Sequence, residues 1–280
     1  SMTGVIDAHQ HFWELGRFHD DWLRIPPHQP ICRTYTPADL LPHLRAAGIE
    51  GSVFVQTQHD LEENRWALDL ARQYPFIRGV VGWIDLASPE CGRQLEEFRD
   101  NPRFVGVRHL THDEPDPDFL IRPEVLAGLR CLERAGVPFD LLLRPVHLRH
   151  VPRLAGELPD LKLVIDHLAK PRIRQASLVD WEPGIRAAAG FENVFCKLSG
   201  MVTEADWETW TPADLEPYLE ITLEAFGPKR CMFGSDWPVC ELAACYEDVY
   251  AALVESLTSL SASEQQAILG ETARRFYALD

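Results

Sequence analysis

The chain has 280 residues, and its 43 acidic and 27 basic residues give it a formal net charge of −16. A surface this acidic repels phosphate backbones and anionic lipid headgroups, so we expect neither nucleic acid nor a membrane as a partner. Hydrophobic residues make up 46% and charged residues 25%, which is ordinary for a globular enzyme, and residues 1–280 can form one domain around a single large core.

The cysteine pattern and the apolar runs indicate where the chain resides. The seven cysteines are irregularly spaced and include no CxxC pair, which predicts reduced and buried thiols. No apolar run approaches the roughly 18 residues that cross a bilayer. The N-terminus also lacks the basic and apolar regions of a secretion signal, and we therefore predict a cytoplasmic protein.

Short apolar runs alternate with longer stretches of helical periodicity along the chain. Most of the runs are apolar on both faces, which is typical of a parallel sheet covered by helices. The predicted strands span residues 5–9, 52–56, 78–84, 104–108, 138–143, 162–166, 194–198 and 230–234. The predicted helices span residues 39–47, 64–74, 89–99, 123–135, 147–158, 243–257 and 262–279, with Gly48 and Gly136 placed to end a helix and Ser261 or Ser263 placed to cap one.

The strand–helix alternation predicts a single-domain α/β fold, a distorted (β/α)8 TIM barrel. An open doubly wound sheet is the alternative that the same alternation allows. Polar residues decide between the two, because several of them lie at or just past the carboxyl ends of predicted strands. In a barrel these ends converge on one face, where active sites are found, whereas in an open sheet they would be spread apart. Residues 14–33, which have no clear period, are expected to form a long loop over that face.

The first predicted strand ends in the sequence DAHQHFW, which contains His9 and His11. Residues two apart on a strand point to the same side, so both imidazoles should enter one cavity. Such a pair can hold a divalent metal or polarise a carbonyl group. A pair of ordinary strand-end histidines is the alternative interpretation.

Two further motifs follow the sixth and eighth strands. The sequence VIDHLAKP places His167 directly after a buried strand, and FGSDWP places Asp236 at the end of the last strand. A carboxylate there can act as a general base for water, as a metal ligand, or as both. A loop histidine and a helix-capping aspartate are the alternatives for each motif taken alone.

Other polar and aromatic side chains near strand ends are candidates for substrate binding. Arg108 and Arg144 can grip a carboxylate or a hydroxyl, or can form structural ion pairs. Lys197 interrupts an apolar strand, so its ammonium group should face the polar mouth of the barrel or be paired. Gln56, Trp83 and Trp237 complete the predicted lining.

Taken together, DAHQHFW, IDHLAKP, KLSGM and FGSDWP resemble the lactonase branch of the amidohydrolase superfamily. The likeness runs from Val5 to Pro238 and implies a TIM-barrel hydrolase of carbohydrate metabolism. It further implies that His9, His11, His167 and Asp236 are catalytic. The implied reaction opens a lactone, such as L-fuconolactone or L-rhamnonolactone, to the hydroxy acid. From the chemistry of these side chains, our hypothesis is that Asp236 acts as general base and that the histidines stabilise the oxyanion.

The resemblance leaves the metal open. The bridging group that a two-metal site needs is missing after the fourth strand, which ends in Arg108 and His109. At most one Zn²⁺ is therefore expected, held by His9, His11 and Asp236, and the reaction need not require it. A metal-dependent decarboxylase of the same superfamily is the alternative enzyme, and a barrel that only binds ligands is the non-enzymatic one. The sequence also leaves open whether the chain forms a homo-oligomer.

Overall fold

Residues 4–280 are described by the computed structural model, and within them eight strands pair in chain order in one parallel sheet. All eight predicted strands are confirmed, although the third, fifth, sixth and eighth are shorter than predicted. The strands are β1 (Val5–Gln10), β2 (Ile49–Val55), β3 (Ile77–Gly82), β4 (Phe104–His109), β5 (Phe139–Leu141), β6 (Leu163–Ile165), β7 (Val194–Leu198) and β8 (Cys231–Phe233).

The sheet curls into a nearly closed barrel. The segment after β8 reaches the end of β1, where the Asp236 amide donates to the His9 carbonyl (2.8 Å) and the His11 amide donates to the Trp237 carbonyl (2.8 Å). These bonds bring two predicted site segments together. The predicted (β/α)8 fold is thereby confirmed, and the strand order, which never reverses, excludes the doubly wound alternative.

Helices connect the strands on the outside of the barrel. Those of the described residues are α1 (Pro37–Ala47), α2 (Leu61–Gln73), α3 (Cys91–Phe98), α4 (Pro123–Ala135), α5 (Val151–Glu157), α6 (Glu182–Ala189), α7 (Pro212–Phe226), α8 (Tyr246–Ser256), α9 (Ala262–Gln266) and α10 (Thr272–Tyr277). Gly48 and Gly136 end α1 and α4 in the left-handed conformation, and Ser261 caps α9. The predicted spans include neither α6 nor α7, and the helix predicted over residues 147–158 is a 3-10 helix followed by α5.

The last predicted helix, over residues 262–279, is wrong as a single α-helix. Its middle, Ala267–Glu271, is π-helical and separates α9 from α10. The side chains of Phe276 and Tyr277 in α10 pack with residues of the barrel interior, among them Ile6. Arg274 donates to the carbonyl of Gly4, just before β1 (3.0 Å). The C-terminal helix therefore closes the end of the barrel at which the strands begin.

Two expectations about the surface and the thiols can be compared with the structure. No helix within residues 4–280 has the length and apolar character that crossing a bilayer requires. All seven cysteines are free, and four of them are buried, but Cys245 is exposed, so the prediction that the thiols are buried is wrong there.

Candidate active site

A cavity of about 460 Å³ opens where the strands end, on the face opposite α10. Five of the predicted site residues line it, namely His11, Arg108, Arg144, His167 and Asp236. The loop predicted over residues 14–33 contributes Trp22, Ile25 and His28 to the wall. That loop contains two 3-10 helices, Asp21–Leu23 and Pro26–Ile31, and covers the face as expected.

His11 and Asp236 are directly paired at the floor of the cavity. The Nδ1–H group of His11 donates to the Val55 carbonyl (2.7 Å), which leaves the lone pair of Nε2 facing Asp236 Oδ1 at 3.1 Å. Burial lowers the pKa of His11. Burial would raise the pKa of Asp236, but the neighbouring His167 and His11 outweigh it, and the pKa lies below the ordinary value. Two lone pairs at this distance repel, so a proton or a metal ion fits between them.

His9 lies beneath this pair, and its proton is placed by Lys197. The Lys197 ammonium lies 3.1 Å from His9 Nδ1 and can only donate, so His9 carries its own proton on Nε2. Arg108 Nη1 is farther from Nε2, at 3.4 Å, and has Asp166 as a closer acceptor at 3.2 Å. The Nε2–H group of His9 therefore points toward Asp236, whose Oδ1 is 3.7 Å away.

Lys197 lies deeper than the sequence suggested. Its side chain is fully buried and contacts Asp140 (2.6 Å) and Asp166 (3.5 Å) as well as His9. The ammonium group thus occupies the space among three acceptors that could otherwise hold a metal ion. Of the two alternatives for this residue, the structure has the paired one, and Lys197 does not line the cavity.

The predicted metal ligands have a suitable spacing. One ligand atom from each of His9, His11 and Asp236 lies within 4.8 Å of the others, which is compatible with a single metal ion. His11 and Asp236 already present lone pairs to that position. His9 would have to lose its Nε2 proton before it could bind the ion. Lys197 opposes this loss, because its ammonium group faces Nδ1 and keeps the proton on Nε2.

His167 is held in place by a rare backbone conformation. Four consecutive residues, His167 to Lys170, have positive φ, which L-residues seldom adopt in a row. The indole of Trp181 donates to the Leu168 carbonyl (2.6 Å), which anchors the turn. A hydrogen bond of 2.7 Å joins His167 Nδ1 to Ser199 Oγ, and Nε2 lies 3.8 Å from Asp236 Oδ1.

The remaining predicted binding residues divide into two groups. Arg108 lines the cavity, and its guanidinium is fixed by Gln56, which accepts through Oε1 (2.9 Å) and its carbonyl (2.6 Å). Gln56 itself is fully buried and does not reach the cavity. Trp83 and Trp237 also lie outside the lining. The Trp83 indole donates to His109 (3.2 Å), and Trp237 is fully buried and donates to Glu241 (3.0 Å).

The sequence interpretation missed several cavity residues. Lys170, Thr203, Glu204 and Trp207 line it. All four lie on segments after strands, where no periodicity indicates the direction of a side chain. Position after a strand was the only available signal, and it gave no ranking among loop residues.

Comparison with known proteins extends over the whole chain. Residues 6–279 match the amidohydrolase family. The chain is 37% identical to an L-fucono-1,5-lactonase of Burkholderia multivorans, over 98% of this chain and 96% of that protein. It is 34% identical to an L-fucono-1,5-lactonase of Burkholderia ambifaria, over 100% and 97%. A crystal structure of a Burkholderia multivorans amidohydrolase with bound zinc has a TM-score of 0.94 and 35% identity, covering 99% of this chain and 100% of that one.

Proposed function

Because the chain belongs to the amidohydrolase family, we propose that this enzyme hydrolyses a sugar lactone to its hydroxy acid. The relatives that support the substrate class are the two L-fucono-1,5-lactonases, which align over nearly their full lengths. The observation that carries the chemistry is the buried Asp236 carboxylate, whose lowered pKa keeps it ionised beside three imidazoles. An ionised carboxylate and hydrogen-bond donors are what the addition of water to an ester requires.

Asp236 acts as the general base in this proposal. Its Oδ1 faces His11, whereas Oδ2 has no hydrogen-bond partner within residues 4–280 and can accept the proton of a water molecule. The water oxygen then attacks the lactone carbonyl carbon. Asp236 returns the proton to the ring oxygen as the ester bond breaks, so that one water is consumed and the products are a carboxylic acid and a hydroxyl group. The acid then ionises at neutral pH and releases one proton to solvent.

The donors around Asp236 stabilise the negative charge on the carbonyl oxygen. The Nε2–H of His9 and the guanidinium of Arg108 are preorganised by buried partners, and His167 is held by Ser199. Donors fixed in this way contribute about 3–4 kcal/mol each to lowering the barrier. A Zn²⁺ held by His11, Asp236 and a deprotonated His9 would supply further polarisation of the carbonyl group.

The proposal is tested by lactone hydrolysis, followed through acid release with a pH indicator. We expect the wild-type enzyme to open L-fucono-1,5-lactone, and Asp236→Asn to lose at least roughly a hundredfold in kcat, since general-base catalysis contributes about 10²–10⁴-fold. The matched control is Asp214→Asn, which changes a helix-capping aspartate far from the cavity. Near-normal turnover by folded Asp236→Asn would show that Asp236 is not the base.

The same assay separates the lactonase from the decarboxylase. The two L-fucono-1,5-lactonase relatives favour the lactonase. If no lactone in a panel of sugar 1,4- and 1,5-lactones is opened, with or without added Zn²⁺, the proposed function is wrong. Release of carbon dioxide from an aromatic carboxylate, abolished by a chelator, would then support the decarboxylase.

A further inference from the structure

One side of the cavity carries charged residues that the proposed reaction does not use. Arg144 follows β5, Lys170 follows β6 and Glu204 follows β7, and all three line the cavity. These strands are neighbours in the barrel, so the three side chains occupy adjoining positions on its rim. His112 lies beside them, and Lys170 Nζ donates to its Nδ1 (2.9 Å).

These side chains have unused hydrogen-bonding capacity. Within residues 4–280, neither Arg144, Lys170 nor Glu204 forms an ion pair at 4.0 Å or less, although most arginines of the chain do. Lys170 has three N–H donors and uses one of them in the hydrogen bond to His112. The side chain of Glu204 has no hydrogen bond to a described residue. Burial raises the pKa of Glu204 and lowers that of Lys170, as expected for charged groups that lack close partners.

The charges of the wall also indicate what kind of ligand it suits. Acidic residues Asp113, Glu204 and Asp236 and basic residues Arg108, Arg144 and Lys170 line the same cavity. The three acidic side chains offset the three basic ones, so the wall offers no net positive charge to attract a carboxylated lactone. A hydroxyl group, in contrast, both donates and accepts, so it can bridge a carboxylate and an ammonium group without a net charge of its own.

Two tryptophans add to this lining. Trp22 and Trp207 face the cavity, and the Nε1 donor of Trp22 is buried without a partner in the described part of the chain. A buried donor without an acceptor costs free energy, which a hydroxyl oxygen in the cavity would recover.

We propose that Glu204 and Lys170 bind the ring hydroxyl groups of the substrate and make the enzyme selective for neutral, polyhydroxylated lactones over carboxylated ones. This inference rests on the proposed lactonase function and adds the groups that recognise the ring. Arg144 completes the subsite as a further donor, and Trp22 and Trp207 line it. The reaction centre at Asp236 opens the ester, and this subsite selects which ring is presented to it.

The first experiment compares substrates with and without hydroxyl groups. The wild-type enzyme, Glu204→Gln and Lys170→Met are assayed on L-fucono-1,5-lactone and on δ-valerolactone, which has the same ring and no hydroxyl groups. We expect the ratio of the two kcat/KM values to fall at least roughly tenfold in each variant, mainly through a higher KM for the sugar lactone. Glu208→Gln, an exposed neighbour outside the cavity, is the matched control and should keep the wild-type ratio.

A binding measurement covers the case in which δ-valerolactone reacts too slowly. L-Fucose has the same hydroxyl groups and no ester, and its binding is followed by tryptophan fluorescence. We expect Kd to rise at least roughly tenfold in Glu204→Gln and to stay unchanged in Glu208→Gln. An equal loss on both lactones, or unchanged L-fucose binding in Glu204→Gln, would overturn the subsite. If the wild-type enzyme binds L-fucose but opens no lactone, the proposed function fails while the subsite stands.

Discussion

Single residues around the reaction centre decide which nitrogen of each histidine carries a proton. The ammonium of Lys197 gives His9 a proton on Nε2, and a backbone carbonyl of β2 gives His11 a proton on Nδ1. Ser199 holds the Nδ1 side of His167. The three histidines thereby have different roles. His9 is a hydrogen-bond donor, His11 is an acceptor beside the carboxylate of Asp236, and His167 is oriented by a hydroxyl group.

Ser199 should matter for turnover more than for substrate binding. In Ser199→Ala, His167 loses the hydrogen bond that orients its ring, and we expect kcat to fall on the order of tenfold with a smaller change in KM. Steady-state kinetics on L-fucono-1,5-lactone measure both values. Ser256→Ala is the matched control, because Ser256 donates to a backbone carbonyl in α8. An unchanged kcat in Ser199→Ala would mean that His167 is oriented by its backbone alone.

At the level of elements, the turn after β6 positions two functional side chains through its backbone conformation. Its left-handed residues cost about 1–2 kcal/mol each. Leu168 and Ala169 are fully buried, and Trp181 binds the turn, so packing offsets this cost. The conformation is what brings both His167 and Lys170 to the cavity wall from one short segment. Strain of this kind is found where a fold must hold functional groups in place.

Gly200, two residues after β7, lies close against the side chain of His167 in that turn. Its φ is +62°, and a Cβ there would lie 2.5 Å from the ring of His167. We expect Gly200→Ala to lose at least about 1–2 kcal/mol of stability through its backbone and also to lose activity by displacing the imidazole. Gly136 is the matched control, because it has a φ of +69° and a Cβ added there would meet no atom within 4 Å.

The two glycine variants are compared by urea unfolding and by kcat at a temperature where both are folded. Gly136→Ala should lose stability and keep its activity. If Gly200→Ala is as active as Gly136→Ala, the ring of His167 has room to move without loss of function.

The C-terminal helix α10 connects the closed end of the barrel to the reaction centre. The hydroxyl of Tyr277 donates to Asp140 Oδ1 (2.6 Å), and Asp140 Oδ2 accepts from Lys197, which reaches His9. In Tyr277→Phe the buried Asp140 oxygen loses this donor, and the free energy of unfolding should fall by about 1–3 kcal/mol. Urea unfolding measures the loss, with Tyr74→Phe, whose hydroxyl has no hydrogen bond to a described residue, as control. Equal stability of the two variants would contradict this prediction.

For the whole molecule, the fold was predictable because its signals repeat. Eight apolar runs, each followed by a helical stretch, agree with one another, so an error at any single boundary did not change the answer. The cluster of His9, His11, His167 and Asp236 was predictable for the same reason, since barrel closure brings strand ends together.

The depth and direction of individual side chains were not predictable in this way. Lys197 was expected either at the mouth or in an ion pair, and only the positions of Asp140 and Asp166 on neighbouring strands decide that it is paired below the cavity. Trp83 and Trp237 follow the last residue of their strands, where the alternation of side chains no longer applies. Glu204 lies in a loop whose path depends on tertiary contacts.

Two electrostatic effects act in opposite directions on the stability of the fold in acid, namely the repulsion among surface charges and the protonation of buried histidines. With a net charge of −16 and a pI near 5.1, acidification should relieve self-repulsion and stabilise the fold. Buried histidines act the other way. Burial lowers the pKa of His59, His109 and His112 from 6.5 to about 4, so the unfolded chain takes up protons before the folded one as the pH falls below 6.5.

Four carboxyl groups oppose the histidines, because burial raises the pKa of Asp7 to about 6 and of Glu63 to about 7, and it also raises the pKa of Asp166 and of Glu204. Their folded forms bind protons first, which stabilises the fold as the pH falls. Seven histidine pKa values are lowered, however, against these four raised carboxyl values. We therefore expect the urea midpoint to fall steadily between about pH 6.5 and about pH 4.5. A midpoint that rises toward the pI would mean that surface self-repulsion outweighs the buried imidazoles, and salt would then reproduce the rise at neutral pH.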